Sequence, residues 1–240
     1  INGVAYWMGR DSFFKFDGTV LKIPCSVEDY VFTDIDEANQ KDTFAAANSE
    51  FNEVTWFYPT NGSSQVDRCV TYNIKEDVWQ VGTLARTSWA DKGVYNFPYA
   101  TDYAPTDTAS TITTITGLTA GRTYMYAQEK GNNADGAAMT SYVESGDFVI
   151  PQAGEHLMSI KRFIPDFKNL SGTVNVSLKF RDYPSSTQRT TGPYPVTTST
   201  TKVDTRARGR QASIRIESSD LDTAWRFGTY RAEIRPDGRR

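Results

Sequence analysis

The residue types that most often carry out chemistry in proteins are scarce in this chain. Histidine occurs once, as His156, and cysteine occurs twice, as Cys25 and Cys69. A serine or cysteine nucleophile usually needs a histidine base, and a zinc site needs several Cys or His ligands. The sequence also lacks C-x-x-C, G-x-S-x-G and both glycine-rich phosphate-loop motifs. We therefore predict no enzyme, no metal site and no cofactor, with packed, unpaired thiols and a surface or loop histidine.

The densest acidic cluster consists of Asp34, Asp36 and Glu37. Paired carboxylates can act as the acid and base of a glycosidase, and some propeller proteins are such enzymes. The pattern of residues 33–41 instead favours a short helix whose first turn carries these carboxylates. The alternating ligands of an EF-hand are absent, although calcium binding by these carboxylates stays an alternative. We expect a solvent-exposed acidic helix start.

The clearest basic pattern is a row of alternating arginines, Arg206, Arg208 and Arg210. Alternate residues of a strand lie on one face, so three guanidinium groups would form a row. Such a row suits phosphates or the carboxylates of a neighbouring subunit. Because no stacking aromatic residues are interleaved, the pattern favours subunit contacts or a solvated strand edge over direct DNA binding.

The C-terminal third is predicted to be β-structure, because polar and apolar residues alternate over residues 173–181, 212–217 and 230–235. If these strands share one sheet, one of its faces is buried and aliphatic. The other face would then be basic and would carry Lys179, Arg181, Arg215, Arg231 and Arg235.

The N-terminal half shows short aromatic strands separated by polar turns, and the pattern occurs twice. Trp7 of the first copy aligns with Trp56 of the second at an offset of 49 residues, which is typical of a four-stranded propeller blade. A third, weaker copy is predicted at 123–127 and 141–144. Two or three blades do not close a propeller, so either further blades precede Ile1 or the strands form open sheets. Since Ile1 is not a Met and begins strand-like sequence, we expect a fragment or processed product.

Length and composition fit this interpretation, because 240 residues with 13% aromatic content can bury a substantial core. We predict an all-β protein with propeller-like blades over residues 1–150, including a Thr-rich insertion near 105–123, followed by a basic antiparallel, sandwich-like domain over 151–240. A second Thr-rich stretch, 187–201, contains Gly-Pro-Tyr-Pro at 192–195 and is predicted to be an exposed connection. No apolar run is long enough for a membrane helix, so we expect no membrane insertion.

Charge is distributed unevenly along the chain. Residues 1–160 contain 10 Lys and Arg against 21 Asp and Glu, whereas residues 161–240 contain 16 against 8. The local net charges are therefore −11 and +8. This asymmetry is compatible with nucleic-acid contact, a mosaic surface or an oppositely charged partner subunit.

Three C-terminal segments resemble the end of phage tail-nozzle or packaged-DNA-stabilisation proteins of short-tailed bacteriophages. These segments are Arg-Ala-Arg-Gly-Arg-Gln at 206–211, Trp-Arg-Phe-Gly at 225–228 and Ile-Arg-Pro-Asp-Gly-Arg-Arg at 234–240. The aromatic segment at 53–59 is similar to the propeller part of the same family.

This resemblance implies a structural virion protein without catalytic residues, assembled in the host cytoplasm as a ring of identical subunits, usually six. The ring would extend the DNA channel below the portal and adaptor, contact distal tail or fibre proteins, and touch packaged double-stranded DNA transiently and without sequence preference. Arg206, Arg208 and Arg210 would then serve subunit contacts, and Arg215, Arg231 and Arg235 would be further candidates for the subunit interface or the DNA channel. The acidic loop of Asp34, Asp36 and Glu37 would line the lumen.

An alternative from another class is a carbohydrate-binding propeller module of a receptor-binding or lectin-like protein. Trp7, Trp56, Trp79 and Trp89 could stack on sugars if they lay exposed at blade ends. Their positions within predicted strands favour core packing instead. A propeller glycosidase is a third alternative and would require a specific carboxylate pair.

Overall fold

A computed structural model describes residues 1–102, 124–134, 136–150 and 156–239. The chain forms two compact units, Ile1–Lys130 and Gly131–Arg240. Both are built of antiparallel strands, which confirms the predicted all-β class. The Thr-rich insertion expected near 105–123 lies outside the described residues. Within the described ranges, no helix is long and apolar enough to cross a membrane.

Among its described residues, the first unit contains three sheets whose strands follow each other in chain order. One sheet has the order β1-β2-β3, the next β4-β5-β6-β7 and the last β10-β9-β8. The strands are β1 (Ala5–Met8), β2 (Phe13–Phe16), β3 (Val20–Ile23), β4 (Phe44–Asn48), β5 (Glu53–Tyr58), β6 (Arg68–Asn73), β7 (Val78–Thr83), β8 (Ser88–Ala90), β9 (Tyr99–Asp102) and β10 (Tyr124–Ala127).

The two strong sequence copies correspond to β1-β2-β3 and β5-β6-β7, each an antiparallel meander. Their aromatic residues pack into one cluster. Phe13 is fully buried, with its ring centroid 4.8 Å from that of Trp56 and 4.6 Å from that of Trp79. The second sheet has an extra outer strand, β4, whose Phe-Ala-Ala-Ala-Asn sequence gives no alternating pattern.

The helix predicted over 33–41 is wrong. The chain instead forms helix α1 at Glu28–Asp34 and a single 3-10 turn at Gln40–Asp42. Between them, Ile35 forms a β-bridge with Thr60, and the Asp36 side chain accepts a hydrogen bond from the backbone N–H of Asn39. A side chain that bonds nearby backbone amides in this way competes with helix formation.

The third predicted copy does not form one sheet. The segment around 124–127 is β10 and pairs with β9 in the first unit. The segment Ser141–Glu144 belongs to the second unit, where it pairs with residues 215–218. The sequence of a short strand does not reveal which strand it pairs with, because the partner can lie far away in the chain.

The second unit contains eleven strands among its described residues. They are β11 (Asn133–Ala134), β12 (Ala137–Ala138), β13 (Ser141–Glu144), β14 (His156–Ile164), β15 (Phe167–Ser171), β16 (Val174–Arg181), β17 (Arg189–Val196), β18 (Val203–Gly209), β19 (Gln211–Ser218), β20 (Ala224–Phe227) and β21 (Arg231–Arg239). The two principal sheets have the orders β13-β19-β16-β17 and β18-β14-β21.

These two sheets share one hydrophobic core. The sheet β13-β19-β16-β17 contributes Val176, Leu178 and Ile216, and the sheet β18-β14-β21 contributes Met158 and Ile160. Each of these residues is at most 1% exposed. The outer surfaces of both sheets are therefore left for charged residues.

The Gly-Pro-Tyr-Pro segment, expected to be an unpaired connection, lies inside strand β17. A strand at the edge of a sheet tolerates proline, since one side of its backbone needs no partner. The pairing register shifts between Val176 and Leu178, opposite this segment. Gly192 has a φ of 108°, and a Cβ there would lie 2.8 Å from the Val176 carbonyl oxygen. Glycine is therefore required at this irregularity.

Candidate functional site: two charged sheet faces

The outer face of the sheet β18-β14-β21 collects most of the arginines singled out in the sequence. Along β18, Arg206 and Arg208 are exposed while Thr205, Ala207 and Gly209 are buried. The register aligns Ser159 of β14 with both Arg208 and Arg235. We call this surface the basic face. It comprises Lys161, Arg162, Arg206, Arg208, Arg231 and Arg235 together with Asp204, Glu233 and Asp237.

The basic face has a net charge of +3. Arg162 Nε lies 2.6 Å from Asp204 Oδ1, Arg208 Nε lies 2.7 Å from Asp237 Oδ2, and Arg235 Nη2 lies 2.6 Å from Glu233 Oε1. These pairs are solvent-exposed, so each contributes little to stability. Three further cations have no ion-pair partner among the described residues, and they are Lys161, Arg206 and Arg231.

Sequence reasoning missed Lys161 and Arg162. The pairing register of β14 shifts between Ile160 and Arg162, so a β-bulge interrupts the alternation of polar and apolar residues. A periodicity test therefore gives no strand signal there. The hydrogen bond from Arg162 lowers the pKa of Asp204.

The outer face of β13-β19-β16-β17 is different, because its charges balance. Glu144 Oε1 accepts a hydrogen bond from Lys179 Nζ at 2.6 Å, and Glu144 Oε2 accepts one from Arg215 Nη1 at 3.0 Å. Arg215 Nε also donates to Glu217 Oε2 at 2.8 Å, and Arg181 pairs with Asp147. We call these three cations and three carboxylates the balanced face.

The environment of Glu144 shows how tightly this network is coupled. Burial alone would raise the pKa of Glu144, but hydrogen bonds and attraction from Lys179 and Arg215 outweigh it and lower the pKa. The Arg215 guanidinium carbon also lies 3.9 Å from the centroid of the Tyr142 ring. Arg215 thus contacts three side chains of its own chain, those of Glu144, Glu217 and Tyr142.

These observations correct the prediction of a single basic sheet. Arg215 shares a sheet with Lys179 and Arg181, as predicted, but Arg231 and Arg235 lie in the other sheet. The face around Arg215 is neutral because Glu144, which the sequence places 71 residues away, supplies a shared carboxylate. Alternation within one strand cannot reveal such a partner.

Arg210 lies just beyond β18, in the turn before β19. Its guanidinium carbon is 5.2 Å from the centroid of the Tyr183 ring. Arg208, Arg210 and Arg189 line one shallow recess of about 230 Å³. Arg189 Nη2 donates to Asp182 Oδ1 at 3.0 Å and to the carbonyl oxygen of Arg208 at 3.2 Å. The structure thus brings two of the predicted arginines together with a third that the sequence did not indicate.

The acidic cluster is divided among different structural roles. The Asp36 carboxylate accepts hydrogen bonds from the backbone N–H groups of Asn39 and Gly62, and these bonds lower its pKa. Asp34 is half-buried, with an oxygen 3.9 Å from Arg68 Nε. Only Glu37 is exposed. Asp36 therefore stabilises a loop instead of a helix start.

The residues with reactive side chains occupy ordinary structural positions. His156 is half-buried at the start of β14, so it lies in a strand and not in a loop. Cys25 and Cys69 are free thiols, as predicted, and burial raises the pKa of each to about 11. Within the described ranges, no group of three or more His, Cys, Asp or Glu residues could hold a metal ion.

The four tryptophans considered as sugar platforms make internal contacts. Trp56 is 1% exposed, and Trp7 stacks on Phe14 with ring centroids 5.6 Å apart. The indole N–H groups of Trp79 and Trp89 donate to backbone carbonyl oxygens at 2.9 and 3.0 Å. This arrangement favours the predicted core packing over the carbohydrate-binding alternative.

In comparisons with known proteins, the chain matches no family model and no curated protein sequence.

Proposed function

We propose that this chain is a structural protein of a bacteriophage tail, which assembles with copies of itself into a nozzle or hub ring. The ring extends the DNA channel and helps to retain and release packaged DNA. The observation that carries the proposal is the basic face, whose net positive charge is not neutralised within its own sheet.

A ring is built from head-to-tail contacts, in which one surface of a protomer meets a different surface of the next. Such contacts are favoured when the two surfaces carry opposite charge. Residues 1–130 contain 10 Lys and Arg against 17 Asp and Glu, a net charge of −7, whereas residues 131–240 contain 16 against 12, a net charge of +4. An acidic surface of one protomer thus suits the basic face of its neighbour.

The sheets of the first unit support the same proposal. Four antiparallel strands in the order β4-β5-β6-β7 have the arrangement of a propeller blade, and β1-β2-β3 matches its last three strands. We propose that these sheets are blades. Propeller parts combined with channel-forming β parts are what the family resemblance implies for a tail protein.

The assignment of the arginines follows from the requirements of DNA passage. Many tight guanidinium clamps on phosphates would slow ejection, because each phosphate contact strengthens binding. We therefore assign Arg206, Arg208 and Arg210 to subunit contacts. Glu37, the exposed member of the acidic cluster, is the residue we assign to the channel surface.

Assembly of the purified chain tests this proposal directly. Sedimentation velocity and negative-stain microscopy should show a ring whose mass is a multiple of the 26.9 kDa protomer. The triple variant Arg206→Ala, Arg208→Ala and Arg210→Ala should sediment mainly as a monomer. Removing three exposed cations of the first unit, by Arg10→Ala, Lys41→Ala and Lys75→Ala, is the matched control and should leave the ring intact.

Two results would contradict the proposal. A parent chain that stays monomeric at high concentration would exclude self-assembly as its function. A triple variant that forms normal rings but retains DNA differently would instead assign the arginines to the channel.

A further inference from the structure

The recess at the end of β18 brings three guanidinium groups together around a buried apolar side chain. Its lining residues all belong to the second unit, and they are Leu157, Asp182, Tyr183, Arg189, Arg208 and Arg210. Leu157 is only 8% exposed, whereas Arg189 and Arg208 are exposed and Arg210 is half-buried. Charged groups of one sign thus surround an apolar base.

Two of the guanidinium groups are held in place by carboxylates. Arg189 Nη2 donates to both Asp182 oxygens, at 3.0 and 3.1 Å, and to the carbonyl oxygen of Arg208 at 3.2 Å. Arg208 Nε lies 2.7 Å from Asp237 Oδ2, and Arg208 Nη2 donates to the Asp237 carbonyl oxygen at 3.1 Å. Side chains that are already ordered lose less conformational entropy when a ligand binds.

The third guanidinium group, that of Arg210, lies beside an aromatic ring. Its carbon is 5.2 Å from the centroid of the Tyr183 ring, which is within the range of a cation–π interaction. Tyr183 is 56% exposed, so solvent and a partner molecule can reach this side of the recess.

Several hydrogen-bond donors of Arg189 and Arg208 are unused. An arginine has five N–H donors in a fixed fork. Among the described residues, Nε and Nη1 of Arg189 and Nη1 of Arg208 make no hydrogen bond. Because both side chains line the same recess, an anion bound there gains donors from both.

Positive charge remains after the internal ion pairs are counted. Three cations and one carboxylate line the recess, which gives a net charge of +2. Asp237, which pairs with Arg208 but does not line the recess, lowers this charge to +1. An anion between the guanidinium groups relieves their mutual repulsion.

The size of the recess and the carboxylates beside it restrict the kind of anion. Its volume of about 230 Å³ lies below the range of about 300–1,000 Å³ of pockets that enclose organic ligands. A DNA strand carries a phosphate about every 3.4 Å of its axis, so the phosphates beside a bound one would approach Asp182 or Asp237. A single side-chain carboxylate avoids this repulsion, and its two oxygens match the guanidinium fork.

We propose that this recess is a carboxylate-binding site, whose ligand is an exposed Asp or Glu side chain on the first unit of a neighbouring copy of the chain. The inference rests on the ring proposed above and specifies one of its contacts, to which Arg189 contributes. The first unit is the source because its net charge is −7. Among the described residues, its exposed carboxylates without an ion-pair partner include Asp11, Asp17 and Glu76.

Sedimentation velocity on variants of Arg189 tests the site. Arg189→Ala should raise the protein concentration needed for assembly at least tenfold, because the recess loses one guanidinium fork. Arg189→Lys keeps the charge but not the fork, and it should still assemble at least threefold more weakly than the parent. Arg226→Ala removes an exposed arginine of β20 outside the recess, so it is the matched control and should assemble like the parent. Urea denaturation of each variant checks that the chain is folded.

A mixing experiment tests whether the ligand comes from another copy. The double variant Arg189→Ala and Arg210→Ala offers no complete recess, but its own first unit can still fill the recess of a parent chain. Parent and double variant are mixed in about 1 M NaCl, where charges are screened beyond about 3 Å, and then dialysed to low salt. At equal amounts, the double variant should terminate growing assemblies and reduce the yield of rings at least twofold. Arg226→Ala mixed in the same way should enter the rings without loss.

The outcomes separate this inference from the proposed function. A parent chain that never assembles overturns both. Rings that form normally from Arg189→Ala overturn the inference alone, as does a double variant that leaves the yield of parent rings unchanged. An Arg189→Ala chain that assembles normally but binds a short DNA duplex more weakly than the parent would assign the recess to phosphates and would also overturn it.

Discussion

The two principal sheets of the second unit share a core but differ in how their outer charges are used. On the balanced face, Glu144 bonds both Lys179 and Arg215, so each cation has a carboxylate from its own chain. On the basic face, cations outnumber carboxylates two to one, and Arg206 projects from an edge strand. The comparison indicates that the same residue types stabilise the unit on one side and remain available to a partner on the other.

The largest expected effect comes from truncating residues of the hydrophobic core that the two sheets share. Leu178→Ala in β16 and Ile160→Ala in β14 each remove a residue that is at most 1% exposed in the shared core. We expect each variant to lower the free energy of unfolding by about 2–5 kcal/mol, measured by urea denaturation. A loss below about 1 kcal/mol in either variant would contradict the burial of both residues in one core.

An intermediate effect distinguishes the two faces. Glu144→Gln on the balanced face leaves Lys179 and Arg215 without their shared carboxylate, whereas Glu233→Gln on the basic face removes only the exposed partner of Arg235. We expect a loss of about 1–2 kcal/mol for Glu144→Gln and less than about 0.5 kcal/mol for Glu233→Gln in urea denaturation.

The pH dependence of Glu144→Gln provides a second measurement of the same difference. The folded-state pKa of Glu144 is below its ordinary value of 4.5. Its contribution to stability is therefore complete above the unfolded pKa and is lost as the pH falls through the folded pKa. Acid denaturation of Glu144→Gln should be less steep below about pH 4.5 than that of the parent. Identical acid profiles would show that the network does not depend on this carboxylate.

The smallest expected effect on stability is that of Arg206→Ala. Arg206 is exposed and has no ion-pair partner among the described residues, so its loss should change the free energy of unfolding by less than about 0.5 kcal/mol. Self-assembly, followed by sedimentation, should nevertheless weaken measurably. A large loss of stability without any change in assembly would assign Arg206 to the fold instead of to an interface.

Local patterns predicted the strands well wherever a regular alternation reached the core. The strand predicted at 173–181 is β16, and the one at 212–217 is β19. The alternation failed at Lys161 and Arg162 because a bulge changes the period there. Around Gly192 an unpaired connection was predicted, but the segment is part of strand β17. This strand lies at the edge of its sheet, where proline residues are accepted that would disrupt a central strand.

The candidate sites were only partly predictable. Arg206 and Arg208 could be assigned to one exposed row, since two-residue periodicity fixes the side of a strand. Their grouping with Arg231 and Arg235, and the separation of both from Arg215, depend on which strands pair.

The sequence by itself determined the all-β class, most of the strands and the exposed arginine row, because side-chain alternation is a property of each strand alone. Only the tertiary structure decided which arginines share a face and which carboxylates neutralise them. Those properties depend on residues far apart in the chain, such as Glu144 and Arg215, that strand pairing brings within hydrogen-bonding distance.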